Sequence, residues 1–274
     1  MRRLWHLNSK KNILAAPYAV WSAVFIVIPL CMILYYGLTD KTGAFTLENI
    51  AAIASVGHAR ALWRSILLSV ISTIICFLLA YPLAMILAEK KGRAGGFIIL
   101  LFILPMWMNF LLRTLAWQTL LEKTGVINGI LSFFGLPSLR IINTSYAIVL
   151  GMVYNFLPFM VLPLYNALSK IDENVINAAK DLGANKIQTF FHVILPLSVP
   201  GIISGITMVF VPALTTFVIS TLLGGSKVLL IGNVIEQEFT QASNWHLGSG
   251  LSIVLMIFII INMIVTALFE KAEN

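Results

Sequence analysis

The chain has 274 residues, 59% of them apolar and only 11% charged, with a net charge of +7. Soluble domains carry roughly 25% charged residues, so this composition excludes a water-soluble globular protein. The basic balance comes without the aromatic and basic interleaving of a nucleic-acid groove, which excludes that partner.

Taken in chain order, six apolar segments reach the length of about 20 residues that a bilayer-spanning helix needs. They are Pro17–Gly37, Leu62–Ala88, Phe97–Leu121, Tyr146–Leu168, Leu197–Leu223 and Gly248–Leu268. Transmembrane β-strands would show stretches of roughly ten residues with alternating polarity, and these runs are longer and unbroken. The expected fold class is therefore an all-α polytopic membrane protein of about six transmembrane helices, one domain over residues 1–274.

Before the first segment, Arg2, Arg3, Lys10 and Lys11 resemble the start of a secretory signal. A signal's apolar region spans only about 7–15 residues and ends at small residues. Here the run from Ala15 to Gly37 is longer, and Leu34-Tyr35-Tyr36 near its end is bulky, which predicts an uncleaved first span. Proline interrupts four later segments, at Pro82, Pro105, Pro158 with Pro163, and Pro212. Each removes a backbone donor and frees a carbonyl, which inside a membrane needs a neighbouring helix or a wet cavity. Gly201 and Gly205 give the fifth segment a small-xxx-small spacing suited to close helix packing, within the subunit or against a partner. No Asp, Glu, Lys or Arg is expected in the middle of any span; Arg60, Arg64 and Arg113 are counted with the outer loops.

With six spans, both termini share a side with the second and fourth loops. That side holds 11 Lys and Arg residues against 7 on the other. By the positive-inside rule it is cytoplasmic.

Enzymatic chemistry finds no residues. Cys31 and Cys76 sit in separate apolar spans and read as core or lipid-facing residues. His6, His58, His192 and His246 are scattered, with no metal-ligand spacing, and no metal or other cofactor is implied. Neither a nucleophile elbow nor a phosphate loop occurs; Gly224-Gly225-Ser226-Lys227 reads as a turn at the outer end of the fifth span.

The fourth loop, residues 170–195, is the sizeable polar block of the predicted cytoplasmic side. Asp172 is a good N-cap for a helix with Glu173 in its first turn. Val175, Ala179 and Leu182 form one apolar stripe, and Gly183 supplies a C-terminal turn. A second short helix places Ile187, Phe190, Phe191 and Ile194 at i, i+3, i+4 and i+7 before Pro196 opens the next span. This periodicity alone fits a surface connector as well as a docking element.

Asn177-Ala178-Ala179, Gly183, Val193 and Leu195-Pro196 resemble the Glu-Ala-Ala-x3-Gly-x9-Ile-x-Leu-Pro loop of binding-protein-dependent ABC-importer permeases, with Asn177 in place of Glu and Val193 in place of Ile. Leu104-Pro105-Met106-Trp107 with Asn109 and Arg113, Gly151-Met152-Val153-Tyr154 with Leu157 to Tyr165, and Leu223-Gly224-Gly225 with Lys227 and Leu229 to Asn233 narrow the resemblance to spermidine/putrescine permeases. The resemblance implies a type I ABC importer permease fold in a bacterial cell membrane. It also implies a machine of two unlike permeases, an ATPase dimer and an external substrate-binding protein, with ATP hydrolysis in the separate ATPase. By position, Asn177, Ala178, Ala179, Asp181, Leu182 and Gly183 would be the ATPase-coupling residues.

For a polycation, carboxylates or aromatic faces would favour binding. Family members often carry an acid before the Leu-Gly-Gly turn, where this chain reads Ser220-Thr221-Leu222-Leu223. Trp107, Tyr154 and Thr221 are the pathway candidates, with Glu122, Glu236 and Glu238 near the outer mouth. The alternatives are a permease for an iron complex or an organic anion, or a self-contained carrier, for which intramembrane ionisable residues would be expected.

Overall fold

The computed structural model describes residues 17–89, 97 and 100–272. The Arg2, Arg3, Lys10, Lys11 cluster and the loop cations Lys90, Lys91 and Arg93 lie outside the described residues. The chain gathers into two compact units, residues 1–56 with 235–257 and residues 57–234 with 258–274.

In the first unit, α1 (Pro17–Gly37) is an apolar helix whose residues before Gly37 all keep some exposure. A tight loop follows. The Asp40 carboxylate accepts from the Thr42 hydroxyl and from the Thr42 and Ala44 amides, which holds it below the usual carboxylate range, the Thr42 hydroxyl being the largest cause. Helix α2 (Glu48–Ala51) continues this stretch. Within the same unit the start of α11 (Trp245–Ala272) packs on the end of α1. His246 Nδ1 lies 2.7 Å from the Thr39 carbonyl and 3.0 Å from that of Tyr36, so this nitrogen carries the proton.

The second unit holds α3 (Val56–Glu89, from Gly57), α4 (Leu100–Trp107), α5 (Phe110–Leu121), α6 (Val126–Phe133), α7 (Ser145–Leu168), α8 (Glu173–Asp181), α9 (Lys186–Thr215) and the start of α10 (Ile231–Thr240). Five helices are long and apolar enough to cross a membrane, and the α4–α5–α6 stretch makes a sixth as a bent pair. No strand occurs among the described residues, only an isolated bridge between Thr39 and Phe45. The chain is an all-α polytopic membrane protein.

The core runs along α7, where Ile148, Met152, Met160 and Leu164 are fully buried. Helix α9 packs on it closely. A Cβ on Gly201 would lie 2.5 Å from Ala167 Cβ and 2.8 Å from the Pro163 carbonyl, and one on Gly205 would lie 2.6 Å from Met160 Sδ. The small-xxx-small pair therefore serves packing inside the subunit. Cys76 is buried and Cys31 exposed, as their spans suggest.

Three expectations are corrected. The segment Phe97–Leu121 is not one straight span. It breaks after a 3-10 turn at Leu104–Trp107 containing Pro105, Met108 turns extended, and α5 leaves at 94°. Asn109 stabilises the break by capping α5, its Oδ1 accepting from the Leu111 and Leu112 amides. Pro105 is the proline at a break; helices run through Pro82, Pro158, Pro163 and Pro212.

The segment Leu197–Leu223 ends as a helix at Thr215. Thr216 turns extended, and a π-helical turn follows at Ser220–Gly224. The chain can stop there because the Phe217 carbonyl finds side-chain donors, Thr221 Oγ1 and Asn233 Nδ2.

The third correction concerns charge. Arg113 is not in an outer loop: it lies inside α5 and is only 7% exposed.

Candidate functional site

The fourth loop folds as two helices joined by a turn, and its caps explain the sequence pattern. The Asp172 carboxylate accepts from the Asn174 amide at 2.9 Å, starting α8. At the far end Gly183 sits at φ +86°, in the left-handed region. The Gly183 amide donates to the Lys180 carbonyl at 2.9 Å and the Ala184 amide to the Ala179 carbonyl at 3.0 Å. This is a Schellman motif. It fixes three residues between the second alanine of the pattern and its glycine, because Ala179 supplies the carbonyl that Ala184 caps and Gly183 the left-handed turn. One residue later Asn185 starts α9 with a capping box: its Oδ1 accepts from the Gln188 amide and Gln188 Oε1 accepts from the Asn185 amide, both at 2.9 Å.

The two helices rest on one small cavity and open another. Ile171, Ile176 and Ile194 meet Met85 and Ala88 at the end of α3 and Leu168 at the end of α7 around a space of about 100 Å³. On the open side, Ala179, Leu182, Gly183, Ala184, Gln188, His192 and Val193 line a hollow of about 400 Å³. The expected apolar stripe is thus split. Ile176 and Ala179 turn partly inward, whereas Val175 is 46% and Leu182 89% exposed. In the second helix Phe190 and Ile194 pack on the core while Ile187 and Phe191 stay exposed. The difference arises because Leu182 follows the last helical residue of α8, where the turn at Gly183 throws it outward.

Past the capping box, α9 passes through a π-helical turn at Phe190–Ile194. Phe190 meets Tyr81 of α3 edge-on at 5.8 Å, and the Tyr81 hydroxyl lies 2.8 Å from Ser198 Oγ. Ser198 spends its own proton on the Leu195 carbonyl, so Tyr81 is the donor. The loop is therefore tied to the buried faces of α3 and α9.

Asn177, Ala178, Ala179, Asp181, Leu182 and Gly183 lie together on this surface, all exposed except Ala179, which is half-buried. The three pathway candidates have three separate settings. Trp107 is 84% exposed at the end of α4, beside the break. Tyr154 on α7 is engaged edge-on by Trp117 at 5.3 Å. Thr221 donates to the Phe217 carbonyl and accepts from Asn233 Nδ2, each at 2.8 Å. From the sequence Asn233 enters only as the last residue of the Leu229–Asn233 stretch, with no role of its own. It is buried, its Oδ1 accepts from Ser220 Oγ and the Leu230 amide, and its Nδ2 donates to Phe217 and Thr221. A lone asparagine beside a glycine, outside the apolar spans, gave no sign of this.

Residues 80–273 match the family model of the binding-protein-dependent transport system inner membrane component. The chain belongs to that family. It is 39% identical, over 97% of its length and 96% of the relative's, to the spermidine/putrescine transport system permease protein PotB of Haemophilus influenzae. It is 37% identical to PotB of Escherichia coli K12, over 86% of this chain and 89% of that one. Among solved structures it resembles a chain of a bacterial alginate ABC transporter in complex with an alginate pentasaccharide-bound periplasmic protein, with a TM-score of 0.79, 18% identity and 96% of both chains covered. A chain of the MetNI methionine ABC transporter matches at a TM-score of 0.56 and 18% identity, over 79% of this chain and 95% of that one. At that identity these two establish the fold, that of an ABC importer permease.

Proposed function

We propose that this chain is one of two unlike permease subunits of an ATP-driven importer for polyamines such as spermidine and putrescine, with residues 1–274 forming half of the translocation pathway. The observation that carries the reading is the loop at 170–195: a Schellman turn at Gly183 beside a leucine that is 89% exposed. Burying such a leucine in a partner stabilises the contact by roughly 1.5–3 kcal/mol, and the relatives that match over almost the whole chain are polyamine permeases. An ATPase dimer grips Asn177, Ala178, Ala179, Asp181, Leu182 and Gly183, with both termini on the same cytoplasmic side. ATP hydrolysis belongs to that separate subunit. The external binding protein selects the solute, and Trp107, Tyr154 and Thr221 offer the passing cation aromatic faces and a neutral oxygen rather than a carboxylate. Closure of the ATPases displaces α8, and the ring contact of Phe190 with Tyr81 passes the displacement to α3 and α9.

The test is ATP-dependent uptake of labelled spermidine by the reconstituted complex. Apart from its chain neighbours, no described residue lies within 4 Å of a Cβ built at Gly183. Gly183→Arg therefore leaves membrane insertion intact while abolishing uptake and releasing the ATPase during purification. Normal uptake with the ATPase retained would reduce the loop to a connector.

A further inference from the structure

Arg113 is the charge that the spans were not expected to hold. Phe110, three residues before it, stacks on Phe156 at 6.5 Å, and Trp117, four residues after it, meets Tyr154 at 5.3 Å. Positions i−3 and i+4 share a helix face with position i, so Arg113 belongs to the face of α5 that packs on α7. Both contacts fall close to the midpoint of the 24-residue α7. At 1.5 Å per residue that is roughly 15–18 Å from either end of the span, the middle of a hydrocarbon core about 30 Å thick.

At that depth no carboxylate among the described residues pairs with the guanidinium. Arg113 is 7% exposed and its Nε has no hydrogen-bond partner. An arginine keeps its charge in proteins, and ionisable groups inside membranes pair with one another or line a wet path. This chain has no Asp or Glu in the interior of any span. Asn155 Oδ1, on the stretch of α7 between the two ring contacts, is also buried and unpartnered, but a neutral oxygen cannot balance a charge. A lipid phosphate sits at the headgroups, too far away, and a polyamine carries the same sign as Arg113. On the same side, Tyr154 is 38% exposed and Phe110 and Trp117 are half-buried, a margin that a neighbouring helix would cover.

We infer that Arg113 pairs, in the assembled importer, with a carboxylate carried at mid-membrane depth by the second permease subunit. The pair specifies which subunit docks on the α5–α7 face and in what register, because a partner lacking the carboxylate would leave a buried cation unmatched. This rests on the permease reading above.

The experiment uses the complex of this chain, tagged, with its ATPase and second permease. Arg113→Met is expected to lower recovery of the second permease at least tenfold and to abolish spermidine uptake, with the membrane yield of the tagged chain unchanged. Replacing each Asp or Glu in the second permease's spans by an apolar residue, with Arg113 intact, should reveal one position with the same loss of recovery. That change combined with Arg113→Met should restore assembly. Native recovery and uptake by Arg113→Met, or no carboxylate whose replacement weakens pairing, overturns the inference, whether or not the arginine variant itself inserts. Retention of the ATPase by the unaltered chain separates the two ideas. Its loss defeats the permease reading, whereas its presence with an indifferent Arg113 defeats this pairing alone.

Discussion

Tyr81 and Ser198 are joined by a 2.8 Å hydrogen bond between α3 and α9, four residues beyond the π-helical turn that leads out of the cytoplasmic loop. The bond sits beside the ring contact of Tyr81 with Phe190. It ties the loop's exit to the helix it leans on.

Tyr81→Phe keeps the ring contact and removes only this donor. Ser198 still donates to Leu195, so no donor is orphaned, and the cost is that of one buried hydrogen bond, about 1 kcal/mol. Thermal unfolding of the purified protein in detergent should show a drop of a few degrees. Uptake per ATP hydrolysed should fall more than stability does; an unchanged ratio would mean that the bond is structural only.

Gly201→Ala brings a methyl to within 2.5 Å of Ala167 Cβ and 2.8 Å of the rigid Pro163 carbonyl. Overpacking of this kind costs roughly 1–3 kcal/mol. Gly129→Ala is the control, since nothing lies within 4 Å of its Cβ and it sits inside α6. That change should be neutral or stabilise by up to about 1 kcal/mol. Parallel melting curves of the two variants decide the matter.

Asn233→Ala removes four hydrogen bonds from the segment after the fifth span. It leaves the buried Leu230 amide unpaired, at a cost of about 2 kcal/mol or more. Thr221→Ala loses two bonds, one exposed and one partly buried, but leaves no buried amide unpaired and should cost about 1 kcal/mol. Equal losses in denaturant unfolding would mean that Thr221, rather than Asn233, organises this segment.

Ile187 and Lys227 are both exposed, on the loop before the fifth span and on the turn after it. In a background of Cys31→Ser and Cys76→Ala, Ile187→Cys should react with an impermeant maleimide only from the cytoplasm and Lys227→Cys only from outside. The reverse pattern would invert the orientation and remove the loop from the ATPase's side.

Long apolar runs made the spans legible, because a bilayer dictates length and hydrophobicity directly. Asp172 and Gly183 were legible because a cap and a left-handed turn require particular residue types. The break at Met108–Asn109 was not, since Pro105 looks like Pro82 or Pro158, through which helices run. Only the asparagine cap four residues later tells them apart. Periodicity puts Leu182 on one stripe with Val175 and Ala179, but it follows the helix proper, where a 3.6-residue repeat no longer sets direction. A six-span topology counts Arg113 with the outer loops, which takes no account of the 94° bend before α5.

Helix α1 carries a consequence for how this sequence can change over time. Until Gly37, none of its side chains is buried by the rest of the chain. Before Tyr36, whose ring meets those of Trp245 and His246, the bilayer is the main selector within this chain, and one apolar residue can stand in for another. At Gly37 the rule reverses: a methyl would lie 3.1 Å and 3.2 Å from the backbone of Ser249 and Gly250. Mutational drift can run almost the length of the helix, then halt at a single turn where a hydrogen atom is all that fits.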